Sequence, residues 1–211
     1  MLYGVTTSVV RTGPRFLVHI DRATGLATPI GGPLGVRVAD ITFTADGTLY
    51  GWSESTDDLV TIDLTTGVAT VVGDSGLGTA GSGIAFDNAN NRLLFAGDDS
   101  NGNLRAVDRA TGTTTVVSTL NGSGNSVAAL AFDCDGTLYG IQLDEDNTFT
   151  TQLVIIDPAS GNVTVVGQSE TRLDAIVFDC PASSDDDDDE KGKKQTPAAA
   201  DPVAIAPTFT G

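Results

Sequence analysis

An all-β fold, built as four blades of four antiparallel strands around a common axis, is predicted by three observations on the 211-residue sequence. The first is an internal repeat. An aspartate closing an apolar run recurs at Asp21, Asp63, Asp108 and Asp157, at spacings of 42, 45 and 49 residues, each followed by Thr-Gly or Ser-Gly at Gly25, Gly67, Gly112 and Gly161. The second is that none of the apolar runs is long enough for a helix, whereas their β-branched content and their Gly/Asp punctuation mark them as strands. The third is that each repeat holds four such runs. A period in this range with four short strands per unit is the pattern of a β-propeller blade.

The copy Ala129–Gly167 is the most complete, and its strands are taken here as A, B, C and D. Strand A reads Ile41-Thr42-Phe43, Ile84-Ala85-Phe86, Leu130-Ala131-Phe132 and Ile176-Val177-Phe178. The dipeptide Asp135-Gly136 tolerates positive φ and predicts a two-residue hairpin turn between A and B. In blade 3 the longer Asp87–Arg92 stands in its place. Strand B reads Leu2-Tyr3-Gly4, Leu49-Tyr50-Gly51, Leu94-Phe95-Ala96 and Leu138-Tyr139-Gly140. Strand C closes on the four repeat aspartates, and the Val/Thr-rich run after each Thr/Ser-Gly is strand D.

The sequence opens on a strand B and its last repeat element is a lone strand A, Ile176–Asp179. The prediction is therefore a single ring over residues 1–180 in which the C-terminal strand closes the N-terminal blade and removes two exposed edges. Blade 1 comprises 1–37 plus 173–180, blade 2 comprises 38–80, blade 3 comprises 81–126 and blade 4 comprises 127–172. Two chains forming one eight-bladed ring, or a slice of a longer propeller, are the alternatives. Residues 181–211 change character, with an acidic block Asp185–Glu190 followed by Lys-Gly-Lys-Lys and a Pro/Ala/Thr segment, and are predicted to be a disordered tail.

The formal net charge is −17, and the only lysines, Lys191, Lys193 and Lys194, lie in that tail. Residues 1–180 thus carry 8 Arg against 21 Asp and Glu. Such a field repels nucleic acid and anionic membranes and attracts cations and basic partners. No run approaches the apolar length that a membrane helix needs. Met1 runs directly into strand B and leaves no space for a leader, yet the Asp/Thr/Gly-rich composition points to an extracellular or cell-surface location.

Strand order sorts the connections onto two faces. The tight A–B and C–D turns share one, and the longer, variable B–C and D–A loops share the other, which is where binding is expected. Three B–C loops are acidic: Glu54, Asp57 and Asp58; Asp98 and Asp99; Asp144, Glu145 and Asp146. Clustered carboxylates suit a hard cation such as Ca²⁺, and a solvated acidic rim is the plainer reading. Asp87, Asp133 and Asp179 each close a strand A, next to the axis, and are candidates for a carboxylate ring at a channel mouth. Thr44 interrupts that ring in blade 2. Asp21, Asp63, Asp108 and Asp157 are assigned to turn structure, each carboxylate taking N–H groups of the turn that follows. Cys134 and Cys180 occupy matching positions in successive copies and could form a disulfide, although equivalent points on adjacent blades can lie too far apart. The lone histidine, His19, has no partner in sequence for acid–base chemistry, and Trp52 is read as a packing residue at the end of strand B.

The segments F-D-x-D-G-T-L-Y-G at Phe132–Gly140 and I-D-x-x-[TS]-G-x-x-T at Ile156–Thr164 resemble the extracellular propeller repeats of bacterial and archaeal surface proteins. They are similar to the broad YVTN, NHL and quinoprotein-like superfamily, over about residues 1–180. The resemblance implies secretion and binding in general terms. The first expectation for function is a non-enzymatic binding module, with no required cofactor, steadied by Ca²⁺ if by anything. Its partner would be a protein or glycan engaging the B–C/D–A loop face of a monomer or dimer. The alternatives are a metal-dependent hydrolase or lactonase with a cation at Asp87, Asp133 and Asp179, and a purely structural spacer.

Overall fold

The computed structural model describes residues 1–6, 13–78, 81–97, 102–121, 127–143, 150–170, 173 and 175–178. Among these, every regular element is a strand. Four antiparallel sheets are arranged as a four-bladed β-propeller. The first sheet orders β1 (Leu2–Val5), β2 (Leu17–Ile20) and β3 (Ala27–Pro29). The second orders β4 (Val38–Phe43), β5 (Leu49–Ser53), β6 (Asp58–Ile62) and β7 (Ala69–Asp74). In the third are β8 (Gly81–Asp87), β9 (Arg92–Gly97), β10 (Asn103–Val107) and β11 (Thr114–Thr119), and in the fourth β12 (Val127–Phe132), β13 (Leu138–Leu143), β14 (Thr151–Ile156) and β15 (Val163–Gln168).

The repeat register is kept from sheet to sheet. Thr42 pairs with Tyr50, Ala131 with Tyr139 and Ala85 with Leu94. In blade 3 the strand B positions are therefore filled by Leu93-Leu94-Phe95 and not, as the sequence repeat predicts, by Leu94-Phe95-Ala96; the longer Asp87–Arg92 turn accounts for the one-residue shift. Each of these strand pairs also carries an irregularity at the start of the inner strand, at Val38/Ile41, Gly81/Gly83 and Val127/Ala129. The apolar core is divided into slabs between successive blades. Leu17, Leu34, Val38, Leu49, Val60 and Ile62 join the first and second sheets. Tyr50, Trp52, Leu59, Ile84, Phe86 and Phe95 join the second and third, and Ala85, Leu94, Leu104, Leu130, Leu138 and Val154 the third and fourth. Trp52 is fully buried and stacks on Phe95 of the neighbouring blade, with ring centroids 3.9 Å apart, which is a packing role.

Two further features differ from the sequence expectation. The A–B hairpin at Asp135-Gly136 leaves three residues outside the ladder instead of two, because the Asp133 N–H donates to the Thr137 carbonyl at 3.0 Å. Gly136 then takes φ +84°, and Gly47 takes φ +82° in the equivalent turn of blade 2. The second concerns the first sheet, which has three strands. Residues 175–178 carry no strand pairing among the described residues, although Ile176 packs on Ala128, Ala129 and Ile141, and the Phe178 ring lies 5.0 Å from Tyr139. The predicted tail 181–211 lies outside the described residues.

Candidate functional site

The regular polar positions are tied to their own turns. At Asp63, Oδ1 accepts the N–H groups of Thr65 (2.9 Å) and Thr66 (2.7 Å) and the Thr66 hydroxyl (2.9 Å). Asp21 does the same with Ala23 and Thr24, Asp108 takes the N–H groups of Ala110 and Thr111, and Asp157 takes the Ala159 N–H and the Ser160 hydroxyl. The glycine four residues on, Gly25, Gly67, Gly112 or Gly161, returns its N–H to the aspartate's own carbonyl at 2.8–2.9 Å. These hydrogen bonds favour the ionised carboxylate, so all four aspartates are held below the ordinary value. The leading donor is the Thr24 N–H for Asp21, the Thr66 N–H for Asp63, the Ala110 N–H for Asp108 and the Ser160 hydroxyl for Asp157.

The carboxylates that close strand A are equally local. Asp87 is buried and accepts from the Asn90 side chain (2.8 Å), the Asn90 N–H (3.1 Å) and Arg92 Nε (3.0 Å). Burial raises its pKa, and the Asn90 and Arg92 donors outweigh that, leaving it below the ordinary value. Asp133 Oδ1 accepts the N–H groups of Asp135 (3.0 Å) and Thr137 (2.8 Å). In blade 2, Thr44 fills the position and donates its hydroxyl to Asp46 at 2.5 Å; that bond, with the Thr48 N–H behind it, lowers Asp46 to about 2. Asp179 lies outside the described residues, as do Asp98, Asp99, Asp144, Glu145, Asp146 and Cys180. Among the described residues no group of three or more His, Cys, Asp or Glu side chains is placed to hold a metal ion. Both oxygens of Asp87 and Oδ1 of Asp133 already have donors, and Asp87 has a cation beside it, which does not favour this pair as a Ca²⁺ ligand set.

The loop face of blades 1 and 2 holds the most connected side-chain cluster. Glu54, in the B–C loop of blade 2, receives both Arg15 from the B–C loop of blade 1 and Arg37 from the connection into β4, each guanidinium nitrogen 2.7 Å from the same Oε1. Arg15 also donates to the Val38 carbonyl at 2.8 Å, and the Glu54 N–H donates to the Arg37 carbonyl at 2.9 Å. Three loop segments from two blades are thereby tied at one carboxylate. Beside it Asp57, 6% exposed, fixes the next connection: its Oδ2 accepts the Ser75 hydroxyl (2.5 Å) and the N–H groups of Leu77 (3.0 Å) and Gly78 (2.7 Å). Asp57 sits at φ +60°, a left-handed conformation that aspartate tolerates better than most side chains. Its neighbour Asp58 begins β6, opposite Ser53 and Asp74.

Sequence reading picked out Glu54 and Asp57 for their charge and gave their partners no role. Arg15 and Arg37 lie 39 and 17 positions from Glu54 and converge on it only when blade 1 packs on blade 2. Their rarity as cations in an acidic chain was the available signal. Asp40 bears no signal in the sequence; its Oδ2 accepts the N–H of Ile84 at 3.0 Å and so links the inner strands of blades 2 and 3. Cys134 is disulfide-bonded.

A family model described as a repeat of unknown function (DUF6923) matches residues 3–128. No curated protein matches the chain in sequence. Among solved structures, the chain is similar to a nidogen/laminin complex, at 16% identity and TM-score 0.57 over 75% of this chain and 59% of that one. It is also similar to TolB from Acinetobacter baumannii, at 15% identity and TM-score 0.54 over 82% of this chain and 45% of that one. A gluconolactonase from Xanthomonas campestris matches at 14% identity and TM-score 0.52, over 76% and 57%. The chain therefore spans between about two fifths and three fifths of these relatives, and identities this low speak to the fold alone.

Proposed function

This chain belongs to the DUF6923 family, a repeat of unknown function, and from that footing we propose that it is a non-enzymatic interaction module, secreted or attached to a cell surface. The observation that carries the reading is the junction of Arg15, Arg37 and Glu54. Two guanidiniums on one carboxylate hold three loop segments of two blades in place before any partner arrives. Ordering loops in advance removes part of the entropy cost of binding. Arg37 keeps its guanidinium partly exposed at this junction, 38% against 14% for Arg15, and that exposed cation is the point where an acidic group on a protein or glycan would dock. That one of the similar structures is of a nidogen/laminin complex supports the general idea of this fold as a binding surface.

A metal-dependent hydrolase would need Asp87 and Asp133 to exchange their hydrogen bonds with Asn90, Arg92 and the A–B turn for a cation, and nothing in the turn geometry favours that exchange. The test is paired. The full chain is incubated with glucono-δ-lactone and γ-butyrolactone in Ca²⁺ and in EDTA, and is applied to an array of acidic glycans beside an Arg37→Glu variant. The module reading expects no turnover above buffer and array binding that Arg37→Glu abolishes. Ca²⁺-dependent turnover that is lost in Asp87→Asn would overturn it.

A further inference from the structure

Each junction between successive blades is made in the same way, and the matching parts stand open at the two ends of the series. The C–D turn of a following blade lies against the outer strand of the blade before it. A Cβ added to Gly67 would stand 2.2 Å from the Ile30 carbonyl oxygen, one on Gly112 would stand 2.3 Å from that of Gly73, and one on Gly161 would stand 2.1 Å from that of Thr119. The Gly32 N–H donates to the Thr66 carbonyl and the Asn121 N–H to the Gly161 carbonyl, both at 2.9 Å, across two of these junctions. Gly25 is the same residue in blade 1, and a Cβ there meets nothing within 4 Å among the described residues. At the other end, a Cβ on Gly73 of β7 would stand 2.0 Å from the Thr111 carbonyl oxygen, and its counterpart Gly167 of β15 meets nothing within 4 Å among the described residues.

Nearer the axis the same openness recurs. Strands β5, β9 and β13 each have an inner partner, and among the described residues β1 pairs with β2 alone. The Thr6 N–H donates to the Phe16 carbonyl at 3.0 Å, which fixes the alternation along the strand: Leu2 and Gly4 turn their peptide groups to β2, and Tyr3 and Val5 turn theirs to the other edge. The strand-A sequence that such an edge takes is present at Ile176-Val177-Phe178. The Phe178 ring lies 5.0 Å from Tyr139, as the Phe43 ring lies 5.4 Å from Tyr3. Yet Val177 is 76% exposed, where the equivalent Ala85 and Ala131 are 2% and 8% exposed.

We propose that these two ends are the halves of a fourth blade junction and that a second copy of this chain closes it. The segment at 173–178 and the β15 face of one copy seat on blade 1 of the other. Val177 then stands opposite Tyr3, in the register by which Thr42 meets Tyr50 and Ala131 meets Tyr139. A second copy is the occupant because it carries, at its own two ends, the same repeat elements that close the three junctions inside one chain. The halves also match by repeat identity, Leu2-Tyr3-Gly4 with Leu138-Tyr139-Gly140 and Thr24-Gly25 with Thr66-Gly67. Two copies related by a twofold axis use each half once, pair both free edges and give a closed ring of eight blades.

Sedimentation equilibrium of the full chain tests this, from low to several hundred micromolar and at about 0.15 M salt, where the Debye length of about 8 Å screens the repulsion between two acidic chains. The expected mass at high concentration is twice 21.6 kDa. Val177→Asp and Gly167→Arg each occupy open space in the single chain, so both variants are expected to sediment as single chains with unchanged melting at the lowest concentration. A single-chain mass throughout would overturn the proposal. So would a dimer that survives both substitutions, or open-ended polymers. A single-chain species whose melting point drops in Gly167→Arg would mean that the chain closes on itself, which equally overturns it.

Discussion

At the scale of single residues, the repeat is written by an aspartate and a glycine four positions apart. The aspartate draws in the N–H groups of the turn, and the glycine reverses the chain at φ between +71° and +76°. Only the ionised carboxylate accepts all of these hydrogen bonds. Asp21, Asp63, Asp108 and Asp157 are each held below an ordinary aspartate, so protons bind more readily to the unfolded chain than to the folded one. Their contribution is fully present above the unfolded value of about 3.9 and is lost as pH falls through the lower folded values. The thermal midpoint is therefore expected to be insensitive to these groups between about pH 7 and 5, and to fall steeply below about pH 4. Replacing all four by asparagine should lower the midpoint at neutral pH and flatten the acid limb, as read by circular dichroism melts from neutral to acid pH. An acid limb as steep in the fourfold variant as in the parent would remove these turns from the explanation.

At the scale of elements, the blade junctions depend on glycines whose importance no local pattern reveals. Gly73 and Gly167 end the same Val-Val-Gly run in β7 and β15 and look alike in sequence. Only Gly73 has a neighbouring backbone where its side chain would go. Gly73→Ala has to push blade 3 away from blade 2, an overpacking cost of about 1–3 kcal/mol or more. For a domain of this size that corresponds to roughly 2–12 °C in melting temperature. At concentrations where the chain is single, Gly167→Ala is expected to change it by less than about 2 °C, since surface substitutions stay within about 0.5 kcal/mol. Equal shifts in the two variants would contradict the junction geometry. The contrast also locates what was legible in the sequence. Strands and turns were, because period and Gly/Asp chemistry are local. The three-residue hairpin at Asp133–Thr137 was misjudged by one residue because the carboxylate's reach to Thr137 decides it. The Arg15–Glu54–Arg37 junction was not legible, because it exists only once two blades pack and its members are spread over 40 positions.

At the scale of the whole molecule, the apolar slabs hold each blade to the next, and the last slab has only one blade to work with. Ala128, Ala129 and Ile141 of blade 4 are covered by Leu153, Leu173 and Ile176, so the segment at 173–178 does for blade 4 what a whole following sheet does for blades 2 and 3. A few side chains without strand pairing are a weak fastening against chain entropy, of order 1–2 kcal/mol for each ordered residue. A covalent link at this point has an evident purpose. Cys134 begins the hairpin that leaves β12, it carries a disulfide, and Cys180 is the other cysteine of the sequence. A bridge between them closes a loop of roughly 45 residues and contributes about 4 kcal/mol by restricting the unfolded chain. Reduction is expected to lower the melting temperature by about 10 °C, given some 2–4 °C per kcal/mol at this chain length. Cys134→Ser should reproduce the reduced value and lose its response to reductant. The strain on the fastening should also appear locally, as faster amide exchange at Ile141 and Leu153 once the thiols are free, with Leu59 and Trp52 in the blade 2–3 slab unchanged. Exchange that rises uniformly across all four blades would mean instead that the bridge stabilises the molecule only through its unfolded state.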